Sequence, residues 1–148
     1  MARQIASEFL NNGLDEHFML EVEISDESAQ VSGDERLLTR AITNLVQNSI
    51  NHNPAGCGIQ LQTSFDAKNK TCSFIVADNG KGIFQNELPD LLELPFSSKR
   101  KRPRQNGHGL GVPMVARIAK AHHGRLILSS HIGKGFRAEI ELPSIKLY

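Results

Sequence analysis

The chain has 148 residues, 39% of them hydrophobic and 22% charged, the balance of one globular domain with a core of its own. No apolar run approaches the roughly 20 residues of a membrane span, and the opening MARQIASEFLNN lacks the apolar segment of a signal peptide; a cytoplasmic domain is expected. The net charge of +1 hides a cluster: Lys99, Arg100, Lys101, Arg102 and Arg104 hold five of the 17 basic residues, leaving 12 elsewhere against 16 acidic ones.

Residues 1–12 are weakly amphipathic, with Ile5, Phe9 and Leu10 on one side, and predict a short helix ended by Asn11-Asn12-Gly13. Phe18 to Ile24 alternates apolar and acidic residues and reads as a half-buried strand; Gln30 to Ser32 suggests a further short one. From Asp34 to Asn53, the residues Leu37, Leu38, Ala41, Ile42, Leu45, Val46 and Ile50 recur at helical spacing, about 100° per residue. Ser32 and Glu35 have the spacing of a capping box in front of that helix. Asn44, Asn48 and Asn51 lie along one edge of the apolar face, in an arc of roughly 60°, although asparagine is a mediocre helix former. Three half-buried carboxamides need partners. The row is either a polar margin of the helix or the lining of a ligand pocket.

Ile59 to Phe65 and Thr71 to Ala77 read as a hairpin around residues 66–70. The cysteines, Cys57 and Cys72, form neither a CxxC pair nor a zinc spacing, and free thiols are expected. Residues 86–94 predict a short helix interrupted by Pro89, and residues 95–107 a polar basic loop. A glycine cluster, Gly107 to Gly111, leads into a helix over Val112 to His122, with Pro113 in its first turn and Gly124 past its end. Arg125 to Ser130 and Phe136 to Leu142 are two more strands across a Gly133-Lys134-Gly135 turn. The order predicts a two-layer α/β (α+β) sandwich, with about three helices on one side of a mixed, mostly antiparallel sheet.

Asp78 follows a strand and precedes Gly80 and Gly82. A carboxylate there can accept from an exocyclic amine while the glycines let a flat ring approach the backbone; ordinary Asx-turn chemistry explains the same residues. Gly107-His108-Gly109-Leu110-Gly111 opens a helix whose free amides favour an anion. It is not a P-loop, since no GxxxxGK[ST] is present, nor does it follow a strand in a βαβ unit. The basic loop is a solvated face, a patch for nucleic acid or an acidic protein, or a cover steering a polyphosphate. No aromatic residue interleaves its charges, which argues against base stacking. The six histidines show no metal-site spacing; His122 and His123 read as charge complements to a helix C-terminus. No Ser-His-Asp or Cys-His arrangement stands out.

Taken in order, these pieces resemble the catalytic ATP-binding domain of sensor histidine kinases, in the GHKL ATPase superfamily. Asn44-Leu-Val-Gln-Asn48 is similar to the N box, and Asp78-Asn-Gly-Lys-Gly82-Ile83 to the first glycine box. Leu94-Pro-Phe96 is similar to the F box, and Gly107-His-Gly109-Leu-Gly111 to the second glycine box; the likeness covers roughly residues 14–143.

The resemblance implies ATP and Mg²⁺ as ligands. Asn48 would give its amide oxygen to Mg²⁺. Asn44 would stand where related ATPases carry a glutamate base; an amide cannot act as that base, which fits phosphoryl transfer rather than hydrolysis. Asp78 would take the adenine amine, with Gly80, Gly82 and Ile83 beside the ring. The second glycine box, Gly107, His108, Gly109, Leu110 and Gly111, would cradle phosphates, under a flexible lid over residues 96–107 that includes Phe96 and Lys99. Three positions depart from the family pattern: Asn51 for a frequent lysine or arginine, His52 for a frequent aromatic, and Phe136 for a common threonine.

The implied partners are a histidine on a separate dimerisation domain and a response regulator, with no nucleic acid and no direct membrane contact, in a cytoplasmic portion of a membrane-anchored sensor. No histidine here has the context of the phosphoacceptor, so the chain alone is expected to bind ATP without phosphorylating itself. The alternatives are a stand-alone GHKL serine kinase or anti-sigma factor, and a non-enzymatic module that binds through the basic loop.

Overall fold

A computed structural model of the protein describes residues 1–25, 30–92 and 111–145. The chain opens with helix α1 (Ala2–Asn11), which buries Ala2, Ile5 and Ala6. Strand β1 (Met19–Ile24) alternates outward acidic residues with half-buried Leu20, Val22 and Ile24, the side-chain period of a strand. Residues 30–32 form no strand; Val31 makes one isolated antiparallel bridge to Ser144.

Helix α2 (Glu35–His52) buries Leu38, Ala41, Ile42, Leu45, Val46 and Ser49, with Leu37 and Ile50 packed at the margins of the same core. Its cap differs from the expected Ser32–Glu35 box. Glu35 is the first helical residue and Asp34 the N-cap, its Oδ1 accepting from the Arg36 and Leu37 N–H groups at 2.9 and 3.2 Å. The amide of Asp34 in turn donates to His122 Nε2 at 3.0 Å, and His122 Nδ1 lies 2.7 Å from the Ile118 carbonyl. A carbonyl only accepts, so Nδ1 carries the proton and Nε2 the lone pair. His122 is therefore a neutral strut between two helices rather than a charge at a helix end.

Strands β2 (Gly58–Asp66) and β3 (Thr71–Asp78) form the expected hairpin. Its turn is held by Asp66 Oδ1, which accepts from the Lys68 and Asn69 amides. Pro89 does not interrupt a helix: a 3-10 turn (Gln85–Glu87) runs into the one-turn helix α3 (Leu88–Leu91), where Pro89 sits in the first turn, the place where its missing N–H is harmless. Helix α4 (Gly111–Ala121) and strands β4 (Arg125–His131) and β5 (Gly135–Pro143) complete the described chain.

The sheet order is β1-β2-β3-β5-β4. Only β1 and β2 run parallel, because α2 carries the chain across between them; the other neighbours are antiparallel. The mixed, mostly antiparallel sandwich is as the order of elements predicts, with α3 as a fourth, single-turn helix. One face of the sheet holds Leu61, Val76, Ala138, Ile140 and Leu142 against α2 and α4. The other carries cross-strand polar pairs, among them Glu23 with Gln60 and Gln62, Ser73 with Glu139, and Arg125 with Glu141. That alternation has a consequence at the end of β3. Phe74 and Val76 pack toward the helices, so Asp78, two residues on, points to the same side, toward the C-terminal half of α2.

Candidate functional site

Asp78 is only 9% exposed, yet it is not a buried charge left alone. The β3–β5 ladder ends at the Ala77–Arg137 pair, and just past it the Phe136 amide donates to Asp78 Oδ1 at 3.2 Å. The Gly80 amide donates to the same oxygen at 2.9 Å. Oδ2 makes no hydrogen bond among the described residues. One oxygen thus fixes the carboxylate while the other is left to accept from something else. Burial first, and the nearby Asp78 charge second, push the Cys57 thiol up to about 11.

The turn after Asp78 is pinned on two sides. Toward α2, Asn53 is buried, with Nδ2 donating to the Ser49 carbonyl at 2.8 Å and Oδ1 accepting from the Lys81 amide at 3.1 Å. It therefore ties the end of α2 to the loop. Toward the β4–β5 hairpin, Ser130 Oγ accepts from the Ile83 amide and donates to the Gly135 carbonyl, both at 2.8 Å, and the Gly133 amide donates to the Lys81 carbonyl at 2.7 Å. Gly82 has φ +67, and a Cβ there would lie 2.2 Å from the His131 carbonyl oxygen. A side chain would be both strained and obstructed.

Between these walls lies a pocket with a cavity of about 20 Å³. Helix α2 contributes Asn48, Ser49 and His52 and its C-cap Asn53; the end of β3 contributes Asp78 and the loop after it Lys81, Gly82 and Ile83; Leu91 of α3 and Phe136 of β5 close it. Asn44 and Asn48 are half-buried, and their side chains make no hydrogen bond among the described residues. Asn51 is different: its Oδ1 accepts from Gln47 Nε2 at 3.0 Å, and it does not line the pocket.

Of the residues singled out from sequence, the fold brings Asn48, His52, Asp78, Gly82 and Ile83 to one cavity. Gly80 sits beside it, its hydrogen side pressed on the Asn53 carboxamide. Gly111 is the first residue of α4. Phe96, Lys99, Gly107, His108, Gly109 and Leu110, with the basic cluster, lie outside the described residues. Sequence reasoning gave no pocket role to Ser49, Asn53, Lys81 or Leu91. Ser49 belongs to the buried face of α2 and Asn53 is its C-cap, so neither falls on the edge that holds Asn48 and His52. Phe136 stood out only as a departure from a family pattern, and it proves to be part of the wall.

Against known proteins, the model of the family described as histidine kinase-, DNA gyrase B-, and HSP90-like ATPase matches residues 33–146. The chain belongs to that family. It is 32% identical over 117 residues to sporulation kinase C of Bacillus subtilis (strain 168), covering 79% of this chain and 26% of that protein. It is 30% identical over 136 residues to the signal transduction histidine-protein kinase BaeS of Escherichia coli (strain K12), covering 91% and 28%. The chain therefore spans little more than a quarter of either relative's length. Among solved structures, full-length ShkA in complex with AMPPNP superposes with a TM-score of 0.83 at 21% identity, over 99% of this chain and 30% of that one. The nucleotide-free catalytic domain of the histidine kinase ThkA gives 0.78 at 19% identity, over 96% and 89%. These likenesses establish that the sandwich is the ATPase-domain fold of histidine kinases. No described helix is long and apolar enough to cross a membrane.

Proposed function

We propose that this chain is the ATP-binding catalytic domain of a sensor histidine kinase, which presents Mg²⁺·ATP for transfer of the γ-phosphoryl group to a histidine on a separate dimerisation domain. The observation that carries the reading is Asp78: a carboxylate with one oxygen held by two backbone amides and the other, like the carboxamide of Asn48 on the same pocket, without a hydrogen bond among the described residues. In this reading Asp78 Oδ2 accepts from the exocyclic amine of adenine, with Gly80, Gly82 and Ile83 beside the ring and His52 and Phe136 on its flanks.

Among the described residues no cluster of three or more histidine, cysteine, aspartate or glutamate side chains can hold a metal ion. The donor available is the neutral Asn48 oxygen. That suits Mg²⁺, which takes one or two protein oxygens and completes its shell from phosphates and water. Bound Mg²⁺ would offset charge on the triphosphate. Asn48 would orient it, and Asn44, an amide without basic character, would position rather than deprotonate. Such transfer is mostly positioning and charge neutralisation. The lid over residues 96–107, with Phe96 and Lys99, and the phosphate cradle of Gly107 to Gly111 complete the site in this reading. A response regulator is the onward acceptor. The histidine-kinase names of the relatives support this over a stand-alone serine kinase.

The test is thermal unfolding with Mg²⁺·ADP. Saturation at about 100 times Kd stabilises by ~2.7 kcal/mol, a Tm rise of roughly 5–10 °C for a domain of this size. Asp78→Asn keeps an oxygen for the Gly80 and Phe136 amides but sets an NH2 against the adenine amine, so its fold survives and the shift vanishes. Asn48→Ala keeps the metal-free shift and loses the increment from Mg²⁺. No shift for the unmodified chain at millimolar nucleotide overturns the proposal.

A further inference from the structure

Ser49 is 1% exposed, and its Oγ is sealed from solvent with no hydrogen-bond partner among the described residues. A hydroxyl inside a helix usually returns its proton to the carbonyl four residues back, and this one does not. Leaving it unpaired costs about 1–3 kcal/mol, whereas alanine would avoid that cost and is the better helix former. Among the described residues one other buried oxygen shares this condition, Thr63 Oγ1, which lies on β2 and does not line the pocket. Ser49 does line it, one residue beyond Asn48 and on the wall that faces Asp78. Its backbone is fixed, because its carbonyl accepts from Asn53 Nδ2; only the hydroxyl is free to turn between staggered positions.

We infer that Ser49 is a nucleobase-recognition residue whose hydroxyl acquires its partner only when the pocket is filled. The inference rests on the ATP-binding reading above and adds a residue to it. An exocyclic amine carries two N–H donors. Asp78 Oδ2 takes one, and Ser49 Oγ, which lines the same pocket, takes the other. Asp78 and Ser49 together thus recognise an unsubstituted amine and disfavour an alkylated one, since a methyl group on the nitrogen removes the second donor and presses on the serine.

A two-by-two comparison tests this: the unmodified chain and Ser49→Ala, each titrated calorimetrically with Mg²⁺·ADP and with Mg²⁺·N6-methyl-ADP, with urea unfolding of both proteins without nucleotide. The unmodified chain is expected to bind ADP about 5–20-fold more tightly than the methylated nucleotide, the worth of a hydrogen bond left unmade in a buried site. Ser49→Ala is expected to weaken ADP binding by a similar factor and to lose the preference between the two ligands, because the residue and the amine hydrogen form one coupled pair. Its stability without nucleotide is equal to or above that of the unmodified chain. An unchanged ADP affinity in Ser49→Ala, or a preference that survives the substitution, overturns the inference and leaves the ATP reading standing. A loss of affinity that tracks a loss of stability also overturns it, as a structural role. Absence of ADP binding by the unmodified chain overturns both.

Discussion

Asp78 governs more than one group at the residue scale. Its Oδ1 organises two amides, and its charge adds to burial in raising Cys57 from 9.0 to about 11. A raised acid pKa means the folded state favours the protonated thiol. The associated stability is present below pH 9 and is lost as pH rises toward 11. At pH 8 the thiolate fraction is about 100-fold below that of an unperturbed thiol, so alkylation of Cys57 by iodoacetamide is expected to be slower by about that factor. In Asp78→Asn the rate rises only part of the way, because burial is the larger cause. A rate in the folded protein equal to that in urea contradicts this account.

At the scale of elements, the site depends on how α2 is joined to the loop after β3. The helix alone ends in an asparagine-rich turn with free carbonyls, as any helix does. Asn53 satisfies one of them, at Ser49, and spends its oxygen on Lys81 across the pocket. Asn53→Ala orphans a buried carbonyl and a loop amide together, and is expected to cost about 2 kcal/mol, read as a lower urea midpoint at unchanged m-value. Weaker Mg²⁺·ADP binding should accompany it, since the Asp78 turn then loses its tie to α2 and keeps those to Ser130, Gly133 and Gly58. A midpoint within about 0.3 kcal/mol of the unmodified chain, an effect typical of an uninvolved surface site, removes Asn53 from this role. The His122 strut acts at the opposite end of the same helix: it joins the end of α4 to the α2 cap, so both ends of α2 are tied to distant chain.

For the whole molecule, the two faces of the sheet divide the work. One carries polar pairs toward solvent, and the other supports α2 and the pocket, with Asp78 at the last position of β3 where the ladder runs out. The five described histidines have other settings: His17 pairs with Asp15, His122 bridges helices, His123 takes the left-handed turn after α4, His131 lies by Gln85, and His52 lines the pocket. Incubation of these 148 residues with Mg²⁺·ATP radiolabelled in the γ-phosphate is expected to leave no acid-labile label on the chain. Addition of a histidine-bearing dimerisation domain from a kinase relative is expected to supply the acceptor. Stable label on this chain alone contradicts the proposed division of labour.

How much of this was legible in the residues differs by range. Helical periodicity in α2, the alternation of β1, the hairpin and the row of asparagines are local patterns, set by side-chain period and backbone chemistry over a few positions; each emerges in the fold with its boundaries moved by a residue or two. The cap of α2 is Asp34 rather than Ser32, and the amide of that cap donates to His122, 88 positions away in the sequence, a contact that no local pattern contains. Which oxygen of Asp78 is occupied depends on an amide 58 residues downstream, and that Ser49 Oγ is buried without a partner among the described residues depends on how α2 packs in the core. By itself the sequence determined the kinds of element and the types of group available. Only the tertiary structure decided which buried polar atoms are satisfied and which are left open, because hydrogen-bond partners across a core are chosen by packing between segments that local propensity never compares.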